Sequence, residues 1–250
     1  MRLINDVIGL NIITTTTGNE VVYNKLINKI NFNVLRYELS KKHVVKPYNI
    51  RVEMQQSEDV YKTSLTAKYS INYKEKRKGF DARFFAGAFV ATSANDAGAY
   101  RFRMSGQAGY QDYLFNHTYL GRNETNGVWA KQFTETDGAF KIFSPLGQSA
   151  EWLMALNLKS SLGNLKLPLN VYIDMGVSAP DGRLAETLLY NAGASLSIYK
   201  NVFEIYFPIL FSQGFTDYHN ANGIDYVETI RFVLNFNLLN PFEAIRNLEL

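Results

Sequence analysis

The chain has 250 residues, with 26 Lys plus Arg against 23 Asp plus Glu and no cysteine. A nearly neutral balance, with the basic residues scattered instead of gathered on one element, gives no electrostatic footprint for nucleic acid; without cysteine neither a disulfide framework nor a thiolate metal site can form. No stretch reaches the ~18 apolar residues of a membrane-spanning helix, so contact with a bilayer would have to be made by strands or by a surface.

The opening MRLINDVIGLNIITTTTGNE places Asn5, Asp6 and Asn11 inside its apolar run and has no small-residue cleavage site, so it does not read as a signal peptide. Export would then need a signal elsewhere, and the chain is expected to be the C-terminal part of a longer protein. A first strand is predicted over Val7 to Thr14, and a second over Lys29 to Leu39, where Ile30, Phe32 and Val34 alternate with Asn31, Asn33 and Leu35. Tyr48 to Gln55 repeats the alternation, with Tyr48, Ile50, Val52 and Met54 opposite Asn49, Arg51 and Glu53. Side chains of a strand point alternately to its two faces, so such a segment separates one apolar face from one polar face.

Tyr61 to Lys74 is the longest regular case, placing Tyr61, Leu65, Ala67, Tyr69, Ile71 and Tyr73 against Lys62, Ser64, Thr66, Lys68, Ser70 and Asn72. The charge run Lys74 to Lys78, closed by Gly79, reads as a solvated hairpin turn, with a patch for acidic lipid headgroups as the sharper alternative. Further strands are predicted over Gly79 to Val90 and over Tyr100 to Tyr110, the latter containing Gly106 and Gly109. Gln111 to Gly127 reads as a loop with room for a short strand over Tyr113 to Leu120. Val128 to Phe143 is one bulged strand or two short ones, broken by Thr134-Glu135-Thr136-Asp137-Gly138.

Trp152 to Ser160, Leu167 to Val177, Leu188 to Tyr199 and Val202 to Phe211 follow as strands, the last two joined by a tight Lys200-Asn201 hairpin. Ser212 to Asp225 reads as a loop and Phe242 to Leu250 as a short helix. Between them, VETIRFVLNFNLL (Val227 to Leu239) puts Ile230, Phe232, Leu234, Phe236 and Leu238 on one face and Thr229, Arg231, Val233, Asn235 and Asn237 on the other.

The sum is an all-β chain of about twelve antiparallel strands with a short C-terminal helix, in a single domain. Many strands match the ~9–11 residues needed to cross a bilayer with tilt, and exceed the ~5–6 usual in soluble folds. A soluble ring of that size would enclose more space than side chains fill, since about eight strands is the filled size. An outer-membrane barrel accommodates the same pattern naturally, with the apolar face in lipid and the polar face around the lumen. Tyr61, Tyr73, Tyr100, Tyr110, Trp152 and Tyr199 are the expected aromatic girdles. A soluble β-rich binding domain for peptide or carbohydrate is the competing reading.

The segments YRFRMSGQAGYQDYLF, TYLGRNE and QFTETDGAFKIFSPLGQ, with FEIYFPILFSQ (Phe203 to Gln213) and YVETIRFVLNFNLLNPFEAIRN (Tyr226 to Asn247), resemble the C-terminal region of large bacterial cell-envelope proteins. These are similar to M1, gluzincin-type metallopeptidases bearing an extra β-rich extension. That family's peptidase domain carries a zinc-binding HExxH helix, and this sequence has none. The resemblance therefore implies the non-catalytic extension, partnered by an upstream peptidase domain of the same protein and placed at the outer membrane of a Gram-negative bacterium.

No catalytic, metal or cofactor set is expected. His43, His117 and His219 all fall in predicted loops, none with a partner at ligand spacing. A barrel hydrolase would need His117 with Asp112, or His219 with Asp217, to meet a serine. The GQAGYQ around Gly106 lacks the spacing of a phosphate loop. Arg101, Arg103 and Arg231 are expected to face the lumen with Glu53, Asp81, Asp174 and Glu204. Their comparable numbers favour internal salt bridges over an ion-selective pore.

Overall fold

A computed structural model describes residues 7–17, 20–30, 32–57, 60–74, 78–92, 100–162, 168–179, 188–199 and 202–235. The fold class is all-β and mostly antiparallel. Strands β1 (Val7–Thr17) and β2 (Glu20–Ile30) form a separate hairpin. A nine-stranded sheet follows in simple meander order: β3 (Asn33–Lys41), β4 (Tyr48–Gln56), β5 (Val60–Asn72), β6 (Gly79–Thr92), β7 (Trp152–Ser161), β8 (Leu169–Ser178), β9 (Leu189–Tyr199), β10 (Phe203–Phe211) and β11 (Arg231–Leu234). Among the described residues β3 and β11 are its edges and the sheet does not close on itself, where twelve strands and closure were expected.

The period-two pattern sorts the two faces as anticipated. On β7, Leu153, Ala155 and Asn157 are buried while Trp152 and Met154 are exposed; on β8, Tyr172, Asp174 and Gly176 are buried and Val171 is exposed. The buried face holds most of the polar residues, and the apolar face of Leu35, Ile50, Tyr69, Phe84, Met154 and Ile198 is open. What covers the polar face is the long connection between β6 and β7, of which residues 100–151 are described.

That connection contains most of the corrections. Residues 100–110 are not a strand: Phe102, Ser105 and Gln107 make only isolated bridges, and a 3-10 turn occupies Gly109–Gln111. No strand lies over Tyr113 to Leu120 or Val128 to Phe143, which hold a 3-10 turn at Trp129–Lys131 and isolated bridges at Gln132, Thr134 and Phe140. Their alternation arises because the segment is sandwiched between surfaces and not because it pairs. Tyr100 and Tyr110 consequently sit in this segment and not in a girdle, and Tyr100 stacks on Phe32 and Tyr113. Asp137 and Ala139 take left-handed backbone either side of Gly138, whose added Cβ would lie 2.6 Å from the Met104 carbonyl.

The span 212–225 is not a loop but helix α1 (Gln213–Asn222), buried through Phe215 and His219 and ended by left-handed Gly223. The final strand starts later than its pattern suggested, because a capping box between Asp225 and Glu228 opens a single turn, α2 (Tyr226–Thr229). Lys29 to Leu39 is likewise two strands, β2 and β3. Glu75 to Arg77, Lys200-Asn201, Phe236 to Leu239, the helix expected over Phe242 to Leu250, and the Tyr199 side chain lie outside the described residues.

The two rims of the sheet differ. One carries the 42–47 turn with Tyr73, Lys74 and Lys78; the other carries residues 100–151 and the helical passage 212–230. Residues 106–114 show that the sheet is rolled. Gly106 accepts a hydrogen bond from Arg231 on β11, and Leu114 packs on Phe32 and Val34 at β3. Arg36 of β3 and Val233 and Leu234 of β11, the two edge strands, also line one common cavity. The connection is therefore a plug that the sheet wraps.

The plug seats by knobs on small wall residues. An added Cβ on Gly87 would lie 2.6 Å from the Phe102 ring, and one on Gly176 would collide with Met104 Sδ. Phe102, Met104, Phe140 and Ile142 of the plug join Phe85, Leu153, Leu189 and Phe215 in the main apolar cluster. Gly87→Val should destabilise the fold by roughly 1–3 kcal/mol through overpacking, read as a lower urea midpoint with an unchanged slope.

Candidate functional site

Below the apolar cluster the contact between plug and wall becomes polar, and a cavity of about 560 Å³ opens between them. Its wall comes from β3 to β7, β10 and β11, and the inward positions of β3 to β6 carry Arg36, Arg51, Glu53, Lys62, Lys68 and Asp81; its plug side carries Asp112, His117, Glu135 and Asp137. Strand alternation alone places the wall charges here, since their neighbours in sequence point to the opposite face.

The centre of the polar contact is Asp174 on β8, fully buried. Its carboxylate accepts from Lys141 Nζ at 2.7 Å, from the Lys141 backbone N–H at 3.0 Å and from Asn157 Nδ2 at 2.9 Å. Asn157 in turn donates to the Gly138 carbonyl at 2.9 Å and accepts from Arg83 at 3.0 Å, while Arg83 donates to the Asp137 carbonyl at 2.7 Å. The left-handed turn at Asp137 to Ala139 is thus pinned by two wall side chains, Arg83 and Asn157. Backbone in that region costs of order 1–3 kcal/mol per residue and persists only where its surroundings over-determine it.

Other anchors repeat the logic. Lys159 pairs with Glu204 at 2.8 Å across β7 and β10, and Glu204 also accepts from Ser197 at 2.9 Å and from the Tyr206 hydroxyl. Lys62 donates to the Tyr100 carbonyl at 3.0 Å with its ammonium 4.8 Å from the Phe102 ring centre. Arg231, fully buried, donates to the Gly106 and Ile142 carbonyls at 3.1 and 3.2 Å and stacks 4.4 Å over Phe133. Alongside it, the plug engages the outer edge of β11: Phe133 N–H donates to the Phe232 carbonyl at 3.0 Å, and the Gln132 amide to Leu234 at 3.3 Å. Lys68 pairs with Glu135 at 3.1 Å in a partly exposed position.

Of the expected lumen charges, Glu53, Asp81, Asp174, Glu204 and Arg231 lie on inward strand positions. Arg101 and Arg103 belong to the plug, where the Arg103 backbone N–H donates to Asp137 at 3.3 Å. Sequence reasoning missed Lys141 and Asn157, the partners of Asp174. Lys141 falls in a segment whose period was misread, and an asparagine on a strand carries no signal of its own.

The histidines are dispersed. His43 Nδ1 accepts backbone N–H groups of Val45 and Lys46 in the 42–47 turn. The Asp112 carboxylate takes the backbone N–H of His117, not its ring, and pairs with Arg122 at 3.1 Å. Asp217 accepts from Gln213, while His219 packs edge-on against Phe211. Neither candidate pair therefore forms a His–carboxylate relay, and among the described residues no group of three His, Asp or Glu could hold a metal ion. Burial lowers the His117 imidazole below its ordinary range, with Asp112 opposing. The Lys68 ammonium holds the Glu135 carboxyl well below the carboxylate range, and burial raises Asp137, with Lys62 opposing.

Chemically the arrangement offers paired charges at fixed positions. It can hold a plug in a wet interior. Comparison with protein-family models, with curated proteins and with solved structures finds no match.

Two outcomes are expected. Asp174→Ala leaves the Lys141 ammonium buried and uncompensated and should cost about 3–5 kcal/mol in a denaturant titration, whereas Lys68→Ala at the partly exposed pair should cost about 1 kcal/mol or less. Because the folded-state pKa of His117 is depressed, the unfolded chain binds more protons below the ordinary histidine value. Stability should fall as pH drops through that value toward the depressed one, and His117→Gln should flatten this part of a melting-temperature-against-pH curve.

Proposed function

We propose that the chain is a β-barrel module of a bacterial outer membrane, about twelve strands in its closed form, that anchors a larger cell-envelope protein and keeps its lumen filled by its own plug. The observation that carries this reading is the inversion of the sheet. Its charged side chains face inward onto the plug and its apolar ones face out, with nothing over them among the described residues. Soluble folds bury such a face, and contiguous apolar patches beyond a few hundred Å² mark an interface. A bilayer satisfies it without a partner, provided every backbone group is paired within the sheet.

Strand length and aromatics agree. β5 has 13 residues and β6 has 14, enough to cross a bilayer with tilt. Tyr61 at the start of β5, Trp152 at the start of β7 and Tyr190 at the start of β9 are exposed near one rim, and Tyr69 and Tyr73 near the other, as interfacial girdles require. Anchor is favoured over pore because the inward charges are paired with one another or with plug backbone and not arrayed in a ring of one sign. The anchored cargo implied by the family resemblance is a zinc peptidase domain of the same protein; this chain takes no catalytic part in the reading.

A soluble β-rich binding module for peptide or carbohydrate is the second reading, favoured by the apolar cluster under the sheet and by the charged cavity beside it. Refolding the chain with and without detergent micelles separates the two. The barrel reading expects circular dichroism to report the sheet only with micelles, and the unboiled protein to migrate differently from the boiled one on a gel. A monodisperse β-protein in plain buffer would overturn it in favour of the soluble module.

A further inference from the structure

One sequence motif remains outside the anchoring role, the basic turn at Lys74 to Lys78. Of that run Lys74 and Lys78 are described, and Lys74 follows the end of β5 beside a second basic turn. The 42–47 connection reads Lys42-His43-Val44-Val45-Lys46-Pro47 and follows Lys41 at the end of β3. Its backbone continues the β4–β5 pairing past the strand ends: Ser70 N–H donates to Pro47 and Asn72 N–H to Val45, while the Asn72 side-chain amide donates to Val44 at 2.6 Å. The 42–47 turn is thereby held against the end of β5, next to Lys74, at the short-turn rim. Lys41, Lys42, Lys46 and Lys74 are all exposed there, and Val44 is exposed between them.

Directly beneath this cluster the outward face of the sheet is indented. A groove of about 520 Å³ is floored by Ala67 and Ala82 and walled by Tyr48, Tyr69, Phe84 and Leu156. Register makes it continuous with the basic turns. Tyr48 pairs with Lys41 on β3 and Tyr69 on β5, Tyr69 pairs with Ala82, and Phe84 pairs with Ala67 and Leu156. Alanine at Ala67 and Ala82, between aromatic walls, leaves a trough where larger side chains would have made the surface level.

We propose that this rim is a binding site for one anionic diacyl phospholipid, its phosphate on Lys41, Lys42, Lys46 and Lys74 and an acyl chain in the Ala67–Ala82 groove. The proposal rests on the bilayer reading above. Charge complementarity selects the headgroup, because a juxtamembrane cluster of Lys is attracted to anionic lipid by about 1 kcal/mol per residue, and the groove selects a chain-bearing molecule over a free phosphate. The rim also selects the leaflet. In outer-membrane barrels the short turns face the periplasm, where the leaflet is phospholipid.

The test uses the full chain, reconstituted into vesicles of phosphatidylcholine alone or of phosphatidylcholine with a minority of phosphatidylglycerol, at low and high salt. The wild type should partition more strongly into the phosphatidylglycerol vesicles, with a preference that salt weakens. K41A/K42A/K46A/K74A should lose about five-fold of that preference per lysine removed while entering neutral vesicles as the wild type does. A67F, which fills the groove, should lower phosphatidylglycerol carried over into detergent, counted by native mass spectrometry, and keep the salt-sensitive preference. A wild type that inserts equally into both vesicles, or a quadruple variant that keeps the full preference, would overturn the site and leave the barrel standing. Failure to insert into either vesicle would overturn the bilayer reading itself.

Discussion

The Asp174 carboxylate is fully buried, and the interior is arranged around that fact. A buried ion is tolerated only when it is paired and its remaining lone pairs are satisfied. Lys141 meets the charge from the plug, first with its ammonium and then with its own backbone N–H, and Asn157 takes a further acceptor site. Because Lys141 contributes both side chain and backbone, the plug segment around it is fixed in direction as well as position. Asn157 passes the constraint to Gly138, and through Arg83 to Asp137. One carboxylate on one strand therefore determines how a turn from a distant part of the chain lies against its neighbours.

The same requirement explains why polar and apolar contacts are segregated. Toward one rim, rings and methyl groups of Phe102, Met104, Phe140 and Ile142 fit against glycine and small residues of the wall, and the contact is dry. Farther in, where inward positions are Lys, Arg, Glu and Asp, the fit gives way to hydrogen-bonded pairs and open space. Dry packing gives the plug its stability, and charge pairing gives it a unique register, since sliding the plug by one residue would part the Lys141 ammonium from the Asp174 carboxylate. The outward face obeys neither demand and shows a third composition, exposed aliphatic and aromatic side chains together.

Most strands were legible from period two alone. Lys62, Thr66 and Lys68 against Tyr61, Leu65 and Tyr69 admit only an extended reading, and β4, β6, β7, β8, β9 and β10 fall within a residue or two of the expected bounds. The plug was not legible, because a chain lying between two surfaces also alternates: Phe102 and Met104 go to the apolar cluster while Arg101 and Arg103 do not, with no ladder involved. Helix α1 was hidden for the opposite reason. QGFTDYHNAN contains poor helix formers and buries only Phe215 and His219, four residues apart, a stripe too narrow to register. The charged wall residues could be named from sequence, but their pairing could not, since Lys141 meets Asp174 only after the misread segment folds back.

Among the described residues the meander has an odd number of strands, and this has a topological consequence. In an antiparallel meander the direction alternates, so the first and ninth strands run the same way, and β3 and β11 would meet as parallel neighbours if the sheet simply rolled shut. An all-antiparallel ring containing these nine must recruit an odd number of others, and the β1–β2 hairpin alone supplies an even one. Any recruit arriving at β11 must also contend with Gln132 and Phe133, which already bond to Phe232 and Leu234 there. The parity of the ring and the seating of the plug are in this way a single problem, solved or left unsolved at one four-residue strand.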